Sequence, residues 1–172
     1  MTLGIDSSTS TNVLPSTDEH ADLWLTSQEL DSWMSLVRLI TLLPGALDTQ
    51  LQRDAGLSLL EYVTMTKLSE APEWTARMSV LAEQTNSSLS RLSHLITRLE
   101  ARGYVRREPD PSDGRFTNAI LLSDGMAGLV SAAPGHVSHV RRLVIDNLSP
   151  ERLRRLGQDA ERIVRRIHSA AS

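Results

Sequence analysis

A chain of 172 residues without cysteine is long enough to bury a core without covalent staples, and it is excluded from disulfide frameworks and thiol redox sensing. No continuous apolar run approaches the ~18–20 residues that cross a bilayer, and the chain does not open on a basic segment followed by an apolar one as a secretory signal does. A cytoplasmic protein with no membrane partner is expected. The formal charge of −3 conceals an asymmetry: residues 1–31 hold six carboxylates and no Lys or Arg, whereas residues 86–115 hold six arginines against four carboxylates, a local positive excess that suits a phosphate-facing surface.

Residues 1–22 are rich in Ser, Thr, Asn and Asp and poor in large apolar groups, which predicts a disordered acidic tail. Thr26-Ser27-Gln28-Glu29 then forms a capping-box pattern. Leu30, Trp33, Val37, Ile40, Leu47 and Leu51 recur at alternating spacings of three and four, the stripe of a long helix. Pro44 is expected to kink it, and Gly56 to end it. A second capping box at Ser58-Leu59-Leu60-Glu61 starts a helix through Tyr62, Met65 and Leu68 that stops before Pro72.

A short helix is predicted over Met78–Gln84, with Arg77 a poor cap. Thr85-Asn86-Ser87 reads as a tight turn, because Asn tolerates the left-handed conformation. Ser88 caps a further helix to Arg102, closed by Gly103. Two short helices joined by a three-residue turn are the core of a helix-turn-helix. In the second of them Leu89, Leu92, Leu95, Ile96 and Leu99 are expected to pack inward. Ser90, Arg91, Ser93, His94, Thr97 and Arg98 are left for solvent or for a major groove. Taken alone, such a helix is usually a plain surface helix; the helix and turn before it and the arginine-bearing segment after it shift the balance to DNA.

The period then changes. Tyr104–Arg107 reads as a strand, Pro109–Gly114 as a turn-rich loop, and Phe116–Leu122 as a returning strand, together a hairpin wing. Ser123 is expected to cap a helix reaching about Leu148, bent or broken at Pro134-Gly135. Ser149-Pro150-Glu151 opens a last helix, with a cap, a proline at the first position and an acid nearby. Its apolar face is Leu153, Leu156, Ala160, Ile163, Val164 and Ile167. The long amphipathic helices at the two ends leave more apolar surface than one chain covers, which suggests a partner chain. The expected fold class is mainly α (α+β). It divides into a helical dimerisation region over 23–56 and 123–172 and a winged helix-turn-helix over 57–122.

The ordered set Leu81-Ala82-Glu83, Ser88-Leu89-Ser90-Arg91-Leu92, Arg98-Leu99-Glu100-Ala101-Arg102-Gly103, Val105-Arg106-Arg107, Pro109-Asp110-Pro111, Asp113-Gly114-Arg115 and Leu121-Leu122-Ser123 resembles the MarR family of winged helix-turn-helix transcriptional regulators, from about Thr26 to Ile167. Asn86-Ser87 departs from the Gly-Leu frequent there, so Ser87 is a position where DNA contacts would differ. The resemblance implies a homodimer that binds double-stranded DNA, with both recognition helices in successive major grooves and the wing in an adjacent minor groove. It implies a repressor on a pseudo-palindromic operator, released by a small-molecule effector. The DNA-contacting candidates are Ser87, Ser88, Ser90, Arg91, Ser93, His94, Thr97, Arg98, Arg106, Arg107, Asp113 and Arg115. Arg115 is the minor-groove candidate, since narrow minor grooves attract arginine, and Asp113 stands where it could aim the guanidinium. Arg98, Arg106 and Arg107 are equally consistent with solvated surface charges.

The family's effector pocket lies between dimerisation helices and reading head, which nominates Trp33, Tyr62 and Arg38, although seam aromatics usually pack in a core. His136 and His139 lie three apart on a helix, a spacing that allows a shared metal, but no Cys or carboxylate completes a four-ligand set by spacing. No cofactor is called for. There is no Gly-rich phosphate loop, Gly-x-Ser-x-Gly elbow or His-Glu-x-x-His pair, so an enzyme is not expected. The alternatives to a DNA-binding regulator are a protein-interaction module built on a winged-helix dimer and a zinc-responsive regulator.

Overall fold

A computed structural model of the chain describes residues 24–170; the tail expected over 1–22 lies outside them. The chain forms two compact units, one up to Ile40 and one from Thr41. The first unit carries the start of helix α1 (Ser27–Ala55). Its entry is the expected reciprocal cap: the Thr26 amide donates to Glu29 Oε2 at 2.8 Å and the Glu29 amide to Thr26 Oγ1 at 3.3 Å. Here Trp24, Leu30, Trp33, Met34 and Ile40 are exposed. Averaged over 18 residues, α1 is apolar enough to cross a membrane by length and composition, which a search for continuous apolar runs passes over. A helix that packs on a second protein copy meets the same criterion.

The second unit is built on α2 (Leu59–Glu70), α3 (Met78–Gln84), α4 (Leu89–Ala101), α5 (Ser123–Leu143) and α6 (Pro150–Ala170), with strands β1 (Thr75–Arg77), β2 (Val105–Pro109) and β3 (Thr117–Leu121). The strands form one antiparallel sheet in the order β1-β3-β2, with Arg77 opposite Asn118, and Val105 opposite Leu121. The hairpin is therefore part of a three-stranded sheet whose first strand the sequence did not announce. The residues before β1 explain why. Glu73 and Trp74 both adopt positive φ (50° and 55°), so the chain reverses sharply and leaves only three residues to pair.

Each helix start follows its local chemistry. Ser58 accepts the Glu61 amide while Glu61 Oε2 accepts the Ser58 amide, a complete capping box. Ser88 Oγ accepts the Arg91 amide at 3.2 Å, satisfying a donor that helix geometry leaves open. Asn86 takes φ 48° in the turn, and Gly103 takes φ 72° just after α4. The start of α3 has no side-chain cap, as expected.

Two expectations are corrected. Helix α5 runs through Pro134-Gly135 without a break and ends at Leu143, followed by a 3-10 turn at Ile145–Asn147; Pro134 costs one hydrogen bond without terminating the helix. Ser123 is the first helical residue and not the cap, a position held by Leu122, which has no capping side chain.

The core gathers Leu57, Met65, Leu68, Leu81, Leu92, Leu95, Ile96, Leu99, Val105, Ala119, Leu121 and Leu129. It joins every element of the reading head to the first turns of α5. Burying side chains of this size stabilises by about 1.5–3 kcal/mol each. Gly125 is fixed by close approach: a Cβ there would lie 2.3 Å from the Tyr104 carbonyl oxygen, so α5 packs flush on the root of the hairpin.

Candidate nucleic-acid interface

Helix α4 divides cleanly into two faces. Leu92, Leu95, Ile96 and Leu99 are at most 1% exposed, whereas Ser90, Arg91, His94, Thr97 and Arg98 are exposed and Ser93 is half-buried. The buried leucines clamp the helix on the core, so the polar face is presented on a rigid element. Leu89 is a correction to the expected inward set: it is 53% exposed. It is the first residue of α4, one turn beyond the packed core.

The polar candidates have distinct environments. Arg91 and His94 are exposed, and no ion pair is formed by either among the described residues. Ser88 holds the helix cap, and the Ser87 hydroxyl reaches the Ser88 carbonyl at 3.4 Å. Thr97 donates to the Ser93 carbonyl at 3.0 Å and accepts from Arg107 at 2.5 Å. Arg107 also donates through Nε to Glu100 at 2.9 Å. Arg107 thus ties β2 to the outer face of α4. Arg98 donates to the buried Glu61 at 2.9 Å, joining α4 to the start of α2. Burial pushes the Glu61 carboxyl upward, but the Ser58 amide and Arg98 outweigh it and hold the group below its ordinary range. Arg106 pairs with Glu108 along β2.

At the wing tip Arg115 is 86% exposed, and its Nη2 lies 2.6 Å from Asp113 Oδ2. Asp113 also accepts the Arg115 amide at 3.1 Å. These bonds hold the Asp113 carboxyl below its ordinary range and the Arg115 guanidinium above its own. Asp113 therefore fixes the direction in which a permanently charged group projects.

Sequence reasoning missed Arg77. From β1 its Nε donates to Asp110 Oδ2 at 2.7 Å and its Nη2 to Ser112 Oγ at 3.2 Å, and its guanidinium stacks 4.7 Å from the Phe116 ring centre. Asp110 is buried (8% exposed) and additionally accepts the Ser112 amide. Its carboxyl is held far below the usual range, first by Arg77 and then by Ser112. Arg77 thus braces the wing loop from the opposite edge of the sheet. A pairing 33 residues apart leaves no signal in local spacing.

The remaining candidates lie elsewhere. Trp33 and Arg38 are exposed on the part of α1 in the first unit. Tyr62 belongs to the second, where its ring centre is 4.6 Å from that of His136. His136 Nδ1 lies 3.1 Å from Gln50 Oε1, while His139 Nδ1 lies 2.6 Å from Arg142, so the two imidazoles engage different partners. Burial, and then the nearby His139, lower the His136 pKa. Among the described residues no group of three or more His, Cys, Asp or Glu side chains is arranged to hold a metal.

The geometry has counterparts among known proteins. The MarR family model matches residues 57–117. The chain is 44% identical to Sco3205, a MarR family transcriptional regulator from Streptomyces coelicolor solved in complex with DNA; the match covers 84% of this chain and 94% of that one, with a TM-score of 0.81. The chain belongs to the MarR family. It is a transcriptional regulator that binds DNA through a winged helix-turn-helix. AbsC, a MarR family regulator also from Streptomyces coelicolor, is 39% identical and aligns over 85% of this chain and 98% of its own, with a TM-score of 0.80. The transcriptional regulator HosA of Escherichia coli O111:H- is 32% identical over 74 residues, 43% of this chain. The match spans about half (53%) of that curated relative's length. In this MarR-family chain α3 and α4 form the helix-turn-helix and β2-β3 the hairpin, and transcriptional regulators are not an enzyme class.

Proposed function

We propose that the protein is a sequence-specific repressor that acts as a homodimer in the cytoplasm. Two α4 helices enter successive major grooves of a pseudo-palindromic operator, and occupancy occludes a promoter. Residues 57–122 read the DNA; residues 23–56 and 123–172 hold the two copies together. The observation that carries this reading is the pairing of α4, buried on one face and polar on the other, with an exposed, carboxylate-aimed Arg115 at the wing tip. Arg91, Ser90, Ser93 and His94 supply base-edge and phosphate contacts. Arg115 enters a minor groove. Arg98 and Arg107, already bonded within the protein, orient the helix and wing and reach phosphates with their remaining donors, while Thr97, its one hydroxyl hydrogen given to Ser93, holds Arg107.

Release by a small effector follows the family pattern and requires two states that bind the ligand unequally. Tyr62, beside His136 in the second unit, and, separately, Trp33 and Arg38 in the first are the candidate effector contacts. Selection of tight binders from random duplexes across a salt series tests the reading. A two-fold symmetric site is expected, with Arg91→Ala and Arg115→Ala each weakening binding about tenfold. Weak binding indifferent to sequence and to both substitutions would favour a protein-interaction module.

A further inference from the structure

Two of the large apolar residues that the reading head leaves exposed converge at one point. Leu89 is three residues before the fully buried Leu92, yet it stands 53% exposed, and Phe116, next to Arg115 on the wing, is 42% exposed. Together with the buried Met78 they line a notch of about 290 Å³ that Ser93, Arg107 and Arg115 also line. Arg77 stacks on the Phe116 ring and so holds it in place. A single exposed leucine needs no explanation. Two exposed apolar side chains converging with a buried third, beside two arginines on a surface that is otherwise Ser, His, Thr and Arg, do need one.

Arg107 at the notch suits a phosphodiester, Arg115 projects from its rim toward the minor groove, and the notch is continuous with the face that meets DNA. In the major groove the base pairs display one apolar group, the 5-methyl of thymine, and the first residues of a recognition helix are those that reach base edges. We propose that Leu89, backed by Phe116 and Met78, reads a thymine methyl in each half-site of the operator. This rests on the DNA-binding reading above and adds the identity of one base. The methyl leaves water for the notch, and a cytosine, which offers an amino donor and no methyl at that edge, is rejected.

The test uses the full chain and the duplex it selects. Each thymine is replaced in turn by deoxyuridine, which removes only the methyl. At one symmetry-related position the wild-type protein should lose about fourfold in affinity per half-site, the value of burying one such carbon. Leu89→Ala should bind the thymine and deoxyuridine duplexes equally, and Phe116→Ala should shrink the same preference. Leu89→Ala should melt as the wild type does, since that side chain is more than half exposed; Phe116→Ala also removes the ring under Arg77, so its binding is compared where it is folded. Recovery of a specific duplex at which no thymine discriminates, or at which Leu89→Ala keeps the full preference, would overturn the inference and leave the regulator reading standing. Displacement of the duplex by an aromatic carboxylate, with thymine-indifferent binding, would assign the notch to a small ligand and also overturn it. Failure to select any specific duplex would remove both.

Discussion

Helices α4 and α6 are written in the same pattern, an apolar stripe along an otherwise polar helix, and they meet opposite fates. In α4 the stripe from Leu92 to Leu99 is at most 1% exposed. In α6 no residue is buried, and Leu156, Ile163, Val164 and Ile167 remain 41–62% exposed. Hydrophobic periodicity states that a face needs covering; it does not state what covers it. For α4 the cover is the core of its own chain, while α6 needs a surface that the described residues do not supply, and a second copy is the proposed one. On that proposal reading head and arms differ in what sets their stability: intramolecular packing for the first, association for the second.

The largest effect expected within this contrast is on the buried stripe. Leu95→Ala should destabilise by about 2–5 kcal/mol, through lost transfer energy and a cavity that tight surroundings cannot fill, read as a fall in the midpoint of chemical unfolding. The same kind of change on α6 should act through assembly. Ile163→Glu combined with Ile167→Glu should leave the helical circular dichroism of the head intact, reduce the sedimenting mass to the 19.0 kDa of one chain, and weaken operator binding by about a hundredfold as bivalent engagement is lost. A variant that stays dimeric would show that α6 is not the seam.

Gly125→Ala sits where head and arm join. Its added carbon would meet the Tyr104 carbonyl at 2.3 Å, and the overpacking should cost about 1–3 kcal/mol, measured by thermal unfolding. Of these changes the smallest effect on the protein at neutral pH belongs to the wing brace. Because the Asp110 carboxyl is held below its ordinary range in the folded protein, its pairing stabilises fully above about pH 4 and is lost as the pH falls below that value. Asp110→Asn should flatten this acid limb of the melting curve and, like Arg77→Met, weaken operator affinity about threefold by freeing the wing. An unchanged acid limb would mean the ion pair does not hold the loop.

What the sequence made legible is local. The capping boxes at Thr26/Glu29 and Ser58/Glu61, the Ser88 cap, the Asn86 turn and Gly103 all act within a few residues, and the helix starts and the helix-turn-helix follow from them. Strand β1 escaped notice because three residues carry no period and its pairing with β3 spans more than forty positions. Leu89 continued the leucine spacing of α4 one turn too far: periodicity does not show where the neighbouring core ends. Of the bend or break expected at Pro134-Gly135, the break gave a propensity too much weight against a helix held at its start by Leu129 and Gly125. The arginines were legible as a basic surface, but their partners were not. Arg77–Asp110 and Arg98–Glu61 are separated by 33 and 37 residues, so only the fold reveals which charges are committed inside the protein and which, like Arg91 and Arg115, project outward.

If α6 and its companion arm hold two copies together, two α4 helices act on one DNA site. The mass of the complex on the selected duplex tests it most directly. Two chains per duplex are expected, each of 19.0 kDa, with no complex of intermediate mass at limiting protein. A single chain bound per duplex at full affinity would contradict it.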